Sequence, residues 1–571
     1  MRRSCKPAAC CVLLALLVLP SANAQKPSAG IQFKDITRAA GLRFTHNTGA
    51  FGKKYLPETM GAGAAFLEFN NDGWPDIFLV NGKNWPGRPG PHSTPALYRN
   101  NRNGTFTDVT RAAGLAIELY GMGVAVGDYN NDGRDDLFIT ALGPNRLFRN
   151  NGKGGFTEVT RAAGLADAKG FSTSAAWVDY DLDGHLDLFV ANYVDWSIEK
   201  DLFCTLDGAS KSYCTPESYK GASAELWRNR GDGTFEDATR RAGLYDPAAK
   251  GLGVLVLDYN RDGRPDLFLA NDTEPDRLYH NDGDGTFTEK GILAGVAFSE
   301  QGVARAGMGV DAADYDRSGY PSILITHFSN EMVALYHNEG SGLFVDDAPR
   351  SAVGRASLLT LGFGCFFFDY DLDGWLDIFV ANGHIENEIE RVQSRVRYAQ
   401  PPHLFRNLAG RFEEVTVSLG KDLAAARVAR GAAFADIDND GDLDLLVTTN
   451  GGPAVLFRND GGTNQSLRVR LVGGRSNRSG IGAVVTIAAG PDKQWQMLRS
   501  GSSYLSQSEL VLTFGLGGRA RADSIEVRWP SGQVDKLTNV AAGQTITVEE
   551  GKGLRDRRPF KDVAAKPAGK Q

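Results

Sequence analysis

The sequence predicts an all-β protein: a seven-bladed β-propeller followed by a small β-sandwich-like domain. Three observations carry this. A nine-residue acidic loop recurs seven times, each time just before a short apolar strand. A second pattern follows most copies, an aromatic strand ending in Asn, a Gly-rich turn and an F-x-D-V-T strand. One such F-x-D-V-T-like strand, FKDITRAAGL (33–42), stands alone ahead of the first loop.

The acidic loops are EFNNDGWPD (68–76), DYNNDGRDD (128–136), DYDLDGHLD (179–187), DYNRDGRPD (258–266), DYDRSGYPS (314–322), DYDLDGWLD (369–377) and DIDNDGDLD (436–444). Oxygen-bearing side chains recur at positions 1, 3, 5 and 9, with Gly at 6. Alternate side chains of a tight loop converge on one point, and Gly admits the positive φ that turns the chain around it. The candidate metal ligands are Glu68, Asn70, Asp72 and Asp76; Asp128, Asn130, Asp132 and Asp136; Asp179, Asp181, Asp183 and Asp187; Asp258, Asn260, Asp262 and Asp266. Asp369, Asp371, Asp373 and Asp377, then Asp436, Asp438, Asp440 and Asp444, complete the full sets. The fifth loop keeps only Asp314 and Asp316, because Ser318 and Ser322 stand at positions 5 and 9. Calcium is the expected ion, since it takes roughly 6–8 oxygen ligands at loose geometry. About six sites are expected, with the fifth weak or empty. One such loop is an ordinary Asx-rich turn; seven in one register are a site pattern.

These loops are not EF-hands, which need Glu at position 12 and flanking helices. Position 12 here is apolar, as at Ile139, Val190, Val380 and Val447, and the flanks read as strands. Each loop is therefore the turn of a β-hairpin. The strands LYRN (97–100), LFRN (147–150), LWRN (226–229), LYHN (278–281), LYHN (335–338), LFRN (404–407) and LFRN (456–459) supply the third strand of each unit. FTDVTRAAGL (106–115), FTEVTRAAGL (156–165) and FEDATRRAGL (235–244) give the fourth in its clearest form. Four strands per repeat indicate propeller blades. The seventh unit lacks its fourth strand, so the strand at 33–37 is expected to close the ring and remove the open edge.

At the N-terminus, basic residues, an apolar run and Ala22-Asn23-Ala24 form an expected signal peptide, 1–24. The run is too short to span a bilayer comfortably, so an exported chain is expected: secreted, periplasmic or cell-surface associated, and not transmembrane. Of the remaining cysteines, Cys204 and Cys214 are expected to form a disulfide in an oxidising compartment. So short a loop would contribute about 2–3 kcal/mol. Cys365, on an apolar strand, reads as a buried thiol. The net charge of −7 and the lack of a basic stripe exclude an electrostatic nucleic-acid binder.

The repeat stops after Asn459, and residues 464–550 become short alternating strands with Gly, Asn and Pro turns. The expected division is propeller 25–462, second domain 463–550 and disordered tail 551–571. GIGA is followed by no helix, so it is not a nucleotide loop.

With those motifs in hand, the repeats resemble FG-GAP/VCBS repeats of integrin-α-like propellers. NRSGIGAVVTI, GSSYLSQ, FGLG and VRWPSG resemble the ASPIC/UnbV domain. The combination is similar to the cartilage acidic protein family and its bacterial relatives, some encoded with enediyne biosynthesis. LPETMGAG (56–63), the Cys204/Cys214 insertion, ANGHI (381–385) and YAQPPHLFRN (398–407) share that likeness. The resemblance implies an extracellular calcium-binding propeller.

Naming the strands of a blade A to D, the metal loop joins A to B and lies on one face of the disc. The B–C and D–A connections lie on the other, and the long insertions fall there: 38–60, 82–96, 193–225 and 383–403. Function collects on loops held by a rigid scaffold. A ligand face is therefore expected around His46, Glu58, Trp196 and His384, binding an extracellular protein or glycan. Trp85, Trp196 and Tyr193 suit a contact surface or the insertions' own cores equally. Without a nucleophile motif, a binding or adhesion module is favoured over the alternative, an enzyme or biosynthesis accessory protein working through loop His and Glu residues.

Overall fold

A computed structural model describes residues 30–561. The expected signal peptide, 1–24, lies outside the described residues. Seven antiparallel units follow one another along the chain, five as separate four-stranded sheets and the second and third joined into one eight-stranded sheet where Lys169, Gly170 and Phe171 pair with Pro144, Gly143 and Leu142. In the first, Ala64–Leu67, Asp76–Leu79, Ala96–Asn100 and Phe106–Asp108 are strands A to D. Each acidic loop is a hairpin turn, with strand A ending just before it and strand B starting on the position-9 residue, so Leu67 pairs with Asp76 and Val256 with Leu267 beside the Leu257–Asp266 pair. The A strands pack side by side in chain order, and that of the seventh unit, Ala429–Ala435, lies against that of the first. The A and B strands are covered by neighbouring blades and are largely apolar, while the outermost D strands, such as Phe106–Asp108, are mostly exposed and polar.

The ring closes through the N-terminal strand. Phe33–Asp35 pairs antiparallel with Val455–Asn459, aligning Phe33 with Asn459 and Asp35 with Phe457. Phe33 is 1% exposed and packs with Tyr370, Phe457 and Leu445.

The second domain stacks two four-stranded sheets. One runs Leu512–Gly517, Gln465–Val472, Gln544–Glu549, Gly553–Pro559; the other runs Asp492–Met497, Val484–Ala489, Arg521–Arg528, Val534–Ala541. Leu467, Val485, Phe514, Ile525 and Trp529 fill the space between them. The tail expectation needs correction. Residues 553–559, placed in a disordered tail at 551–571, are a strand that pairs with Gln544–Glu549. Their charged run GLRDRRP suits an exposed edge strand, which has one covered flank and one wet one.

This domain sits on the face that carries the acidic loops, a face the sequence left to calcium alone. Its segment between Met497 and Leu512 enters the channel at the centre of the ring. There Ser503 exchanges backbone hydrogen bonds with Val310, Gln507 bonds Ala64 and Phe66, and Val124 N–H donates to Leu505 O. Glycines in the A strands admit this backbone: a Cβ on Gly63 would lie 2.3 Å from Leu505 O. Tyr504, fully buried, passes through to the opposite face and donates its hydroxyl to Met60 O at 2.9 Å.

Deleting residues 25–42 should expose the Val455–Asn459 edge without removing any acidic-loop residue. Aggregation in size-exclusion chromatography and a lower melting temperature are expected; a stable monomer would contradict the closure.

Candidate metal loops and the insertion face

Local backbone geometry turns each acidic loop inward. Position 6 is Gly at φ of 81–93° in all seven, and position 4 is also left-handed, including Leu182 at 57° and Leu372 at 56°. Left-handed Leu costs roughly 1–2 kcal/mol, so the loop is held by its surroundings. The position-1 carboxylate accepts the backbone N–H groups of positions 5 and 6, as Asp128 does from Asp132 at 2.9 Å and Gly133 at 2.6 Å.

Position 9 is fixed by the Asn that ends strand C. Asn150 N–H donates to Asp136 Oδ1 at 2.7 Å, and the same bond recurs in every blade, with Ser322 Oγ as the acceptor in the fifth. The same Asn side chain reaches the preceding blade. Asn150 Nδ2 donates to Phe69 O, Asn229 to Tyr129 O, Asn281 to Tyr180 O, Asn338 to Tyr259 O, Asn407 to Tyr315 O and Asn459 to Tyr370 O. Asn100 Nδ2 to Ile437 O, 2.8 Å, joins first blade to seventh. The Asn Oδ1 accepts a turn N–H, as from Gly152 at 3.0 Å. One residue per blade thus orients a carboxylate and ties adjacent loops together. The repeated terminal Asn was visible in the sequence, but its neighbour's carbonyl was not.

In three loops the carboxylates of positions 1, 3 and 9 converge: Asp179, Asp181 and Asp187; Asp369, Asp371 and Asp377; Asp436, Asp438 and Asp444 each place three oxygens within 4.8 Å of one another. Strand-C arginines hold the outer oxygen of position 3, Arg228 on Asp181 at 2.7 Å and Arg406 on Asp371 at 2.9 Å. The inner oxygens Asp181 Oδ1 and Asp371 Oδ1 have no hydrogen-bond partner, nor do Asp76 Oδ2, Asp136 Oδ2, Asp179 Oδ1 and Asp438 Oδ1. Burial, reinforced by neighbouring carboxylates, raises Asp179 to about 7 and Asp76 to about 8. Burial likewise raises Glu68 to about 7 and Asp128 to about 6. Buried acceptors without donors, crowded with like charge, are the complement of a hard cation. A metal ion fits these donors.

The fifth loop is different. Asp314 Oδ2 accepts the Trp495 indole N–H from the second domain at 2.6 Å, and Asp316 Oδ2 lies 2.7 Å from His337 Nε2. Its acceptors are met by protein donors.

The insertions do meet on the opposite face, but not as an open surface. Trp85, Tyr120, Tyr193, Trp196, Phe363 and Tyr504 share one apolar cluster with Leu56 and Met60. His46, Glu58, Trp196 and His384, expected to present a ligand face, are only 5%, 2%, 6% and 1% exposed. The reason is packing: four long connections and Tyr504 cover one another. Glu58 accepts from Tyr213 Oη at 3.0 Å, His46 Nδ1 from Gly451 N–H at 3.3 Å and His384 Nδ1 from Glu386 N–H at 3.0 Å. Arg430, also buried, donates to Thr59 O, Gly383 O and His384 O. Burial drives His46 down to about 3 and His384 to about 4, which keeps both neutral. Cys204 and Cys214 are disulfide-bonded within this layer, and Cys365 is a buried free thiol.

The repeats match the FG-GAP-like repeat family at residues 68–139, 129–190, 201–269 and 258–325, and the second domain matches the ASPIC and UnbV family at 473–555. The chain thus carries FG-GAP-like repeats followed by an ASPIC and UnbV domain. It is similar to cartilage acidic protein 1: 28% identical over 405 residues to the Homo sapiens protein, covering 69% of this chain and 56% of that one. The Mus musculus protein is 28% identical over 370 residues, covering 63% of this chain and 52% of that one. The chain thus spans about half the length of these curated relatives. Among solved structures, a lectin of Agrocybe aegerita aligns at TM-score 0.39 and 17% identity, covering 69% of this chain and 87% of that one. The BP39L lectin of Burkholderia pseudomallei aligns at TM-score 0.39 and 9% identity, covering 71% and 98%. Neither likeness bears on function.

The raised carboxylates give a pH prediction with a definite sign. Their folded pKa values lie above the unfolded ones, so between about pH 4 and about pH 8 the folded state holds protons the unfolded chain has released. The contribution of these groups to metal-free stability should fall as pH rises through that window, and saturating calcium should flatten the trend. Urea unfolding at several pH values, with chelator and with calcium, measures it.

Proposed function

We propose that this protein is an exported, calcium-stapled propeller acting as an extracellular binding or adhesion module for a protein or glycan. The observation that carries this reading is the set of unpartnered carboxylate oxygens in five of the seven hairpin tips, at Asp76, Asp136, Asp179 with Asp181, Asp371 and Asp438. All donors are oxygens. Two oxygens on opposite sides of a calcium ion, each at roughly 2.3–2.6 Å, stand about 5 Å apart, so the oxygens of the three convergent clusters, all within 4.8 Å of one another, are near enough to share one ion. Loops at 68–76, 128–136, 179–187, 258–266, 369–377 and 436–444 would hold the ions, and 314–322 would not. Bound calcium supplies positive charge there; the chain's own part is to aim the oxygens and keep the loops closed.

Export is supported by the disulfide, by the leader-like N-terminal sequence and by the likeness to cartilage acidic protein 1. No helix among the described residues is long and apolar enough to cross a membrane. A binding role is supported by the FG-GAP-like repeats and by the likeness to cartilage acidic protein 1. The buried, neutral His46 and His384 are positioned to pack rather than to exchange protons with a substrate.

Extracellular calcium modules commonly bind at about 10⁻⁴–10⁻³ M. Raising calcium well above that range should raise the melting temperature, and a chelator should lower it. Asp183→Ala should cost more stability in calcium than Ser318→Ala, because only the first removes a ligand from a complete set. Melting and bound-metal content that ignore the chelator would refute the reading.

A further inference from the structure

The outer wall of the ring is not uniform. In each blade, strand D and the turn after it form that wall. Blade one keeps it polar with Thr105, Thr107 and Arg111-Ala112, and blade two with Thr157 and Arg161-Ala162. Blades four and five break the pattern. Ile292 and Leu293 stand where the turns of blades one, two and seven have Arg-Ala, and Leu343 and Val345 stand on blade five where Thr105 and Thr107 stand on blade one. These side chains are 63%, 72%, 51% and 38% exposed. They adjoin one another. A Cβ on Gly295, at the end of the blade-four turn, would meet Phe344 O at 3.0 Å, so that turn lies against strand D of blade five. Phe344 is buried, and alternation along the strand turns Leu343 and Val345 outward. Single exposed apolar side chains are ordinary; a contiguous group in an otherwise polar wall marks an interaction surface.

Charge follows the same division. From strand C to the end of the turn, blade one carries Arg99, Arg102 and Arg111 against Asp108, and blade two Arg149, Lys153 and Arg161 against Glu158. Arg99, Arg111, Arg149, Lys153 and Arg161 are exposed and form no ion pair among the described residues. The matching stretches of blades four and five carry Asp282, Asp284 and Glu289 against Lys290, and Glu339, Asp346 and Asp347 against Arg350. Asp346 is taken up by Arg305, but Asp282, Asp284 and Glu339 are exposed. One blade separates the basic arc from the acidic arc on one side of the ring, and two on the other. The wall of one copy is thus complementary to the far wall of another.

We propose that the acidic, apolar arc of blades four and five docks on the basic arc of blades one and two of a second copy, so that chains associate head to tail. Ile292, Leu293, Leu343 and Val345 pack on Ala112, Ala162 and the aliphatic stems of Arg111 and Arg161, and the surrounding carboxylates meet the guanidinium heads. The two surfaces differ, so every joined copy leaves one of each free and growth does not stop at a symmetric dimer. The inference goes beyond the binding reading above and involves no bound ion.

Sedimentation velocity of the full exported chain tests it, at protein concentrations up to about 1 mM and at about 50 mM and about 500 mM salt. The wild type should gain mass with concentration, more at low salt than at high. Ile292→Arg with Leu293→Ala, which restores the Arg-Ala of the other blades, should abolish the gain. Asp282→Lys with Glu339→Lys should do the same without touching an apolar residue, and so should Arg111→Glu with Arg161→Glu on the other arc. The Ile292→Arg/Leu293→Ala and Arg111→Glu/Arg161→Glu proteins each keep one intact arc, so their mixture should form a one-to-one complex and grow no further. A wild type that stays monomeric at both salts, association that ignores salt, a plateau at a dimer, or a mixture that stays monomeric would overturn the proposal. A labelled sulfated oligosaccharide that binds a monomeric wild type through Arg111 and Arg161 would assign the basic arc to that partner instead.

Discussion

Everything in this propeller leans on a contact of one side chain with three partners: the Asn that closes strand C. Its backbone N–H fixes the last residue of its own acidic loop, and its amide bridges that loop to the carbonyl of the loop before. The seven asparagines are 0–3% exposed, so each bond is made away from water. A buried hydrogen bond contributes about 1 kcal/mol net, but leaving its partner unpaired costs about 1–3 kcal/mol. Truncating one Asn side chain orphans two carbonyls and a turn N–H, as at Asn229, so blade contact and turn shape fail together. Because the chain of bonds is cyclic, ending at Asn100 and Ile437, no blade is terminal.

The same constraint explains why the loops tolerate like charge. Their oxygens are held inward by backbone N–H groups, strand-C arginines and the Asn, which leaves the inner lone pairs facing one another. The arrangement makes sense with a cation at the centre and is strained without one. The second domain joins in: Asn464 donates to Asp371 O at 2.7 Å, Arg468 meets Asp436 at 3.1 Å, and the segment around Tyr504 fills the channel. Ring, loops and second domain therefore form one mechanical unit, in which the domain docks on the loop tips and is threaded through the disc.

Much of this was legible in the sequence because it repeats. The nonapeptide marked hairpin turns and register at once, and the unpaired strand at 33–37 told where the chain closes. Ser318 and Ser322 marked the deviant fifth loop before Trp495 and His337 were seen to take over its acceptors. What a repeat does not encode is contact between unlike segments. Nothing local in GSSYLSQ says that it enters a channel, because the complementary feature is a set of glycines on other strands. Likewise His46, Glu58, Trp196 and His384 lie on loops that look exposed one by one; they are buried because four loops and Tyr504 cover each other. The charged run at 553–559 read as tail because an edge strand with one wet flank lacks apolar alternation.

The most direct measurement of the central claim is the number of calcium ions held by the intact chain at saturating calcium, counted by native mass spectrometry after removal of free ion. The account predicts about six per chain, one for each loop with a complete ligand set and none for 314–322. A count of one or none, with the fold intact, would contradict it.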